Sequence, residues 1–496
     1  MDGILKQEAT HAVDMAILLT SVGVFDSGGA GTGKAVPSPL TRVGGMTLFQ
    51  RAVFTLQRGG ISQIWVLAGS EEQALRQLLH EDSRIQAAVR WLPVREFPPH
   101  DPQTWEALAE EVNGACMIVG CHTVYSPALV QRLRSEGSQG KAVVVVGHPE
   151  EGHHRGNPGV AFRPEGLEGR STSAVVFHDQ ALSQTSPSKS DTNIQTHDRT
   201  RLPLVGDLLV LPARLLGISG VLHANGTNPL RLALEQAAVE GAIQTISGTS
   251  HWFRDVRGPK GPQLAERTLL HELQTLKGGL DGLVDRYVNR QCSGLLTRGF
   301  LRLGWSPNTI TMVSMAVGLV AAALFVPGSW ELAILGGLIL QLSVIIDCCD
   351  GEVARLTFSE SKFGQELDIW ADNVVHIVLF AAIACGTYLH GPWEHTSLPL
   401  LLGASVVMAN VVSLWLVNQA RHLRSRPREL RKLTEQERAN IEFVLGHVAN
   451  RDFSVMVLFC AGFSFLHWFL ALAAIGSWVF VVSMAWMLRR SLISRA

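Results

Sequence analysis

Along the first half of the chain, short aliphatic and β-branched runs alternate with stretches whose apolar positions recur at helical spacing. Ala16–Thr20, Ile64–Leu67, Met117–Val119, Val143–Val146, Ala174–Phe177 and Leu208–Leu211 predict strands. Thr47–Gln57, Glu71–His80, Thr104–Val112, Ala128–Ser135 and Pro229–Glu240 predict helices. Strands alternating with helices predict a mostly parallel sheet covered on both faces. Gln180–Thr200 is polar, rich in Ser and Thr and without periodicity, and predicts a flexible loop. Leu264–Leu276 is amphipathic. Asp281–Phe300 mixes basic and apolar positions, as a helix lying along a membrane surface does.

After Pro307 the pattern changes. A membrane helix needs about 20 mostly apolar residues. Ile310–Val326, Leu332–Ile346, Val374–Leu389, Leu398–Val417, Val455–His467 and Phe469–Leu488 predict six such helices, the last two divided near His467–Trp468. The expected organisation is a soluble α/β domain over 1–250, a linker with a juxtamembrane amphipathic helix over 251–300, and an all-α six-helix transmembrane domain over 301–496.

Composition agrees with this division. Only 17% of the 496 residues are charged, against about a quarter in soluble proteins, and the deficit falls in the second half. With 42 Lys and Arg against 43 Asp and Glu, the net charge of -1 lacks the basic excess of a nucleic-acid-binding protein. Seven irregularly spaced cysteines make neither a disulfide framework nor a zinc site. Met15–Ser21 is too short for a secretory signal and reads as the first strand. Lys and Arg collect at Arg298 and Arg302, at Arg355 and Lys362, along Arg421–Lys432 and at Arg489–Arg490, whereas the alternate connections hold none. The positive-inside rule then predicts a multi-pass protein of the inner or plasma membrane with both termini and the soluble domain cytoplasmic.

The chemistry concentrates in one segment. Asp347, Asp350, Gly351 and Ala354 recur at i, i+3, i+4, i+7, and Gly364, Asp368 and Asp372 at i, i+4, i+8, each set on one helix face. Two neighbouring helices would face each other with four carboxylates, which cannot crowd together ionised without cations between them. Oxygen-only ligands favour Mg²⁺ or Mn²⁺, and a metal held this way suits phosphoryl chemistry.

The run Asp347, Asp350, Gly351, Ala354, Arg355, Gly364, Asp368, Asp372 resembles the signature of the CDP-alcohol phosphotransferase family at every fixed position and at its spacing. The resemblance covers about residues 280–496. It implies an enzyme that moves a phospho-alcohol from a CDP-alcohol to an acceptor hydroxyl and releases CMP. It also implies that Asp347, Asp350 and Asp368 are metal ligands and that Asp372 is the general base and a further ligand. Gly351, Ala354, Arg355 and Gly364 would contact the nucleotide. Asn308 and Thr311, in a stretch resembling the start of the family's first helix, are either nucleotide contacts or helix caps. Arg421 and Arg451 are candidates for an acceptor phosphate, although the Arg421–Lys432 run also reads as a contact for anionic membrane lipid.

The first half resembles sugar-nucleotide-type nucleotidyltransferases in the order of its first strand, a Gly-rich stretch, Pro37-Ser38-Pro39 and Gly44-Gly45. Three positions depart from that family. Ser38 stands where a Lys is expected, Cys121 where a metal-binding Asp is expected, and Arg257 where the second acid of an Asp-x-Asp pair begun by Asp255 is expected. These departures predict a degenerate domain. Gly28–Lys34 fits a phosphate-loop pattern but continues with Ala35 instead of Ser or Thr, and reads as a chance match. The domain order resembles the fused inositol-phosphate cytidylyltransferases and di-inositol-phosphate-phosphate synthases, which implies CDP-inositol as donor and inositol phosphate as acceptor, and a homodimer is compatible with it. A phospholipid synthase using CDP-diacylglycerol and a non-catalytic membrane protein with a nucleotide-sensing domain are the alternatives.

Overall fold

The computed structural model describes residues 12–24, 37–137, 140–146, 160–163, 174–177, 202–221, 228–247, 252–275, 289–424 and 453–493. The expected loop at 180–200, the Gly28–Lys34 stretch, residues 281–288 and Arg451 lie outside them. The chain forms two compact units, Met1–Leu269 and Leu270–Ala496.

The first unit begins with β1 (Met15–Leu19), β2 (Arg42–Val43), β3 (Met46–Thr47), α1 (Leu48–Arg58), β4 (Gln63–Ala68), α2 (Glu72–His80), β5 (Ala88–Pro93) and α3 (Pro102–Glu111). It continues with β6 (Ala115–Gly120), β7 (Thr123–Tyr125), α4 (Pro127–Glu136), β8 (Ala142–Val146), β9 (Val160–Arg163), β10 (Ala174–Phe177) and β11 (Leu202–Pro212). It ends with α5 (Ala213–Val221), α6 (Pro229–Val239), β12 (Ile243–Ser247), β13 (Phe253–Asp255) and the start of α7 (Gly261–Thr275). Local chemistry fixes the helix starts. Asp101, Ser126 and Asn228 each accept a backbone N–H from the first turn and are each followed by Pro, whose missing N–H costs nothing at that position.

Strands β5, β4, β1 and β6 pair in parallel in that order. β11 then joins β6 antiparallel and carries β8 and β9, with β12 parallel on β8 and β10 antiparallel on β9. The sheet is therefore parallel at its centre and mixed beyond β6. Alternate residues feed two cores. Ala16, Leu18, Ile64, Val66, Met117 and Val119 pack on one face, and Ile17, Leu19, Trp65, Leu67, Cys116 and Ile118 on the other. β4 and β5 lie on one side of β1 and β6 on the other, so the order reverses between β1 and β6. The carboxyl ends of these two strands flank the crevice where open α/β sheets bind ligands.

The expected linker over 251–300 begins too early. β13 pairs antiparallel with β7, and Val256 and Ala265 are fully buried, so 252–269 belongs to the first unit.

The second unit contains α8 (Arg290–Leu303), α9 (Pro307–Ala323), α10 (Trp330–Leu356), α11 (Lys362–Leu389), α12 (Leu398–Arg424), α13 (Phe453–Gly462) and α14 (Leu466–Ile493). Of the six expected apolar helices, four, α10, α11, α12 and α14, are long and apolar enough to cross a membrane. α9 and α13, of 17 and 10 residues, are shorter. The last division falls at 463–465, not at His467–Trp468. Ser464 is left-handed at φ 59°, and the Phe465 N–H closes onto Cys460 O at 2.7 Å, a turn that ends α13. α9 packs on α10 and α11, α10 also takes α8 and α13, and α12 packs on α11 and α14. Gly318 allows the tight crossing of α9: a Cβ there would stand 2.9 Å from Val375 and 3.0 Å from Ser343 Oγ. Leu401, Met408 and Trp415 on α12 and Leu472, Ile475 and Val479 on α14 point outward, as helices in a hydrocarbon solvent require.

Candidate active site

α10 and α11 are joined by a tight turn. Thr357 ends α10, Phe358 is left-handed at φ 52°, and Ser361 Oγ caps α11 by accepting the Gly364 N–H at 2.9 Å. The turn brings the end of α10 and the start of α11 to one end of the unit, where α9 packs against both helices. The i, i+3 and i, i+4 spacings of the acids place them on this common side.

Asp347, Asp368 and Asp372 form one group. Each offers a carboxylate oxygen, and these oxygens lie within 4.8 Å of one another. Asp347 is buried, whereas Asp368 and Asp372 are half-buried and reachable. Three carboxylates at this spacing, with no sulfur or imidazole among them, fit a hard divalent cation.

Asp350, expected as a fourth ligand, is not brought into that group. Its Oδ2 accepts the Thr311 hydroxyl at 2.5 Å. Ser314, one turn along α9, donates its hydroxyl toward Asp347 Oδ1 at 3.4 Å. Thr311 is thus a carboxylate partner, and its Oγ1 also bonds Pro307 O. The cap of α9 is Ser306, which accepts the Thr309 N–H at 3.2 Å, so Asn308 and Thr311 do not serve as caps. Asn308 faces Gly364 instead: a Cβ on Gly364 would stand 3.1 Å from Asn308 Oδ1. Arg355 folds back along its own helix to Gly351, where an added Cβ would lie 3.0 Å from Nη1. Ala354 is one residue before Arg355 on the half-buried side of α10. Arg421, at the end of α12, lies within electrostatic reach of Asp368 and Glu366.

The reverse face of α10 carries contacts that the sequence pattern left unread. Glu352 is buried and accepts hydroxyl hydrogen bonds from Ser293 at 2.8 Å and Thr297 at 2.7 Å, both on α8. The same seam continues through Gln341, which donates to Asn289 Oδ1 at 2.5 Å and accepts from Ser454 at 2.9 Å. Ser293 and Thr297 at i, i+4, opposite an acid in an apolar helix, are the signal that could have revealed the clamp. Glu352 fixes the rotation of α10 and so the direction in which Asp347 and Asp350 point. Glu352→Ala is expected to remove two hydroxyl–carboxylate bonds and destabilise the unit by about 2 kcal/mol. Thermal unfolding in detergent reads this directly, and an unchanged midpoint would show that the clamp bears no load.

The sequence model of the CDP-alcohol phosphatidyltransferase family matches residues 305–488, which include the whole acid group. A bifunctional IPC transferase and DIPP synthase of Rubrobacter xylanophilus is 29% identical over 384 residues, covering 75% of this chain and 78% of the relative. One of Thermococcus kodakarensis is 26% identical over 375 residues, covering 75% and 77%. Among solved structures, the inositol-1-phosphate CTP transferase from T. maritima aligns with 52% of this chain and 96% of its own, at 14% identity and a TM-score of 0.36. The acid spacing, its assembly between α10 and α11 and the matched residues lead to one conclusion: the carboxy-terminal unit is a CDP-alcohol phosphatidyltransferase-family domain.

Proposed function

We propose that this unit moves the inositol-phosphate group of CDP-inositol to a hydroxyl of an inositol phosphate, releasing CMP, with Mg²⁺ or Mn²⁺ held by Asp347, Asp368 and Asp372. The observation that carries the reading is the convergence of these three carboxylates within a domain of this family. The names of the two relatives that align along most of the chain support inositol as the alcohol.

A bound divalent cation would neutralise the pyrophosphate and polarise the phosphorus for in-line attack. Asp347, buried and met by Ser314, provides the fixed anchor. Asp372, half-buried, takes the proton of the acceptor hydroxyl. The hydroxyl oxygen bonds the phosphorus distal to cytidine, the bond from that phosphorus to the bridging oxygen breaks, and CMP leaves with the electron pair. Thr311 holds Asp350 to α9, so α9 and α10 keep their register beside the nucleotide. Gly351 and Gly364 leave room for close approach, and Asn308 and Arg355 border that space. Arg421 supplies a cation for the acceptor's phosphate.

The acids share their end of the helices with Arg355, Lys362 and Arg421, which supports a multi-pass protein with this site and both termini on the cytoplasmic side. The basic residues that follow Arg421 in the sequence, through Lys432, suit anionic lipid, and the outward apolar faces of α12 and α14 accommodate a homodimer.

The test is CMP release by the purified protein with Mg²⁺ or Mn²⁺, comparing CDP-inositol with CDP-diacylglycerol, each with inositol 1-phosphate. CMP from CDP-inositol is expected. CMP from CDP-diacylglycerol alone would reassign the protein as a phospholipid synthase, and none from either would overturn the transfer reading.

A further inference from the structure

The switch point of the first unit's sheet holds a closed ion cluster. Asp207, on β11, is 1% exposed and leans over the carboxyl end of β6. Gly120 makes room for it: a Cβ there would stand 3.1 Å from Asp207 Cβ. Asp207 Oδ1 accepts the Val24 N–H at 3.2 Å, from the segment that follows β1. Oδ2 accepts the Thr123 hydroxyl at 2.9 Å and lies 3.1 Å from Arg257 Nη2. The Arg257 side chain is 9% exposed and also binds Asp255, whose Oδ1 accepts Nε at 3.0 Å and the Arg257 backbone N–H at 2.9 Å. The β13–β7 ladder sets Asp255 opposite Thr123, so both acids and the arginine are fixed from the backbone.

This arrangement leaves little for a metal. Both oxygens of Asp207 are already engaged, and the guanidinium stands between the two acids, where it repels a divalent cation. Cys121, the next side chain along from Gly120, offers no thiolate, because burial and the Asp207 charge push its thiol well above the usual range. Ser38 brings no cation to the site: its hydroxyl donates to Glu71 at 2.7 Å and accepts the Leu40 N–H at 3.1 Å. Cytidylyl transfer to a phosphorylated alcohol requires an acceptor oxygen to bond the α-phosphorus of CTP as the bond to pyrophosphate breaks. Carboxylate-held metal is what neutralises the charge that builds on the leaving pyrophosphate.

We propose that Arg257 is a tethered cation occupying the ligand end of the first unit's sheet, that this unit performs no metal-dependent nucleotidyl transfer, and that a separate CTP-consuming cytidylyltransferase must supply the CDP-alcohol. The last clause rests on the proposed function of the second unit. The first two rest on the cluster alone.

The full chain in detergent tests both. Incubated with CTP, Mg²⁺ and inositol 1-phosphate, it is expected to release no pyrophosphate above the protein-free rate, while CDP-inositol with inositol 1-phosphate yields CMP. Asp207→Asn combined with Arg257→Gln replaces the ion pair by a neutral one and keeps the fold testable by its thermal midpoint. Mn²⁺ counted by electron paramagnetic resonance is expected to be equal in wild type and the double variant, with CMP release unchanged. One Mn²⁺ fewer per chain in the variant, or pyrophosphate release that the variant loses, overturns the tethered-cation assignment. Absence of CMP from every CDP-alcohol instead overturns the proposed transfer, and the pyrophosphate and Mn²⁺ results still decide the cluster.

Discussion

Asp347→Ala is expected to abolish CMP release while the protein stays folded. Asp347 is the buried member of the acid group, and its carboxylate oxygen lies within 4.8 Å of those of Asp368 and Asp372. Without it, two half-buried acids remain to hold a cation that must neutralise a pyrophosphate. Lewis-acid stabilisation of this kind is worth several kcal/mol, so a loss on the order of 10³-fold or more is expected. The fold has reason to survive. Ala suits an apolar helix interior, and removing one of three crowded like charges relieves repulsion in the metal-free protein. The two effects separate in a thermal scan. Wild type should gain stability with Mn²⁺, by about 2.7 kcal/mol at a hundredfold excess over its dissociation constant, whereas the variant should not respond. Full wild-type turnover in excess EDTA would end the metal assignment.

Asp372→Asn is expected to lower turnover by about 10² to 10⁴, the usual worth of a general base. Asn keeps the size of the side chain and one acceptor oxygen but cannot take the acceptor's proton. Asp372 also lies in the ligand group, and the two roles have different signatures. Loss of kcat at unchanged donor and Mn²⁺ affinity marks a base. Loss of kcat together with weakened Mn²⁺ binding marks a ligand. Retained turnover excludes both. Asp350, held by Thr311 outside the group, is a contrasting position whose replacement acts on the register of α9 against α10.

The helices and strands were legible because their signals are local. Helices expected from Thr104, Ala128 and Pro229 begin at Pro102, Pro127 and Pro229, where the Asp101, Ser126 and Asn228 caps place them. β5, Ala88–Pro93, escaped because Arg90 interrupts its short apolar run, and the strand is ordered by its parallel ladder with β4. The two short helices were expected over Ile310–Val326 and Val455–His467 and run over Pro307–Ala323 and Phe453–Gly462, because hydropathy marks where a chain is apolar and not where its backbone turns, as at Ser464.

The sequence by itself determined the site's chemistry and its address. The i, i+3 and i, i+4 spacings place acids on single helix faces, since helical periodicity is a property of the local backbone. What only the tertiary structure decided is which groups meet. The spacing treats Asp347 and Asp350 alike, yet packing against α9 leaves Asp347 with Asp368 and Asp372 and hands Asp350 to Thr311, 39 residues away. Glu352 meets Ser293 across 59 residues, and Thr123 meets Asp207 across 84. The substitution at Arg257 was readable as a missing acid. That its guanidinium fills the space between Asp207 and Asp255 was not, because three segments distant in sequence meet there only when β11, β7 and β13 are packed around the end of β6.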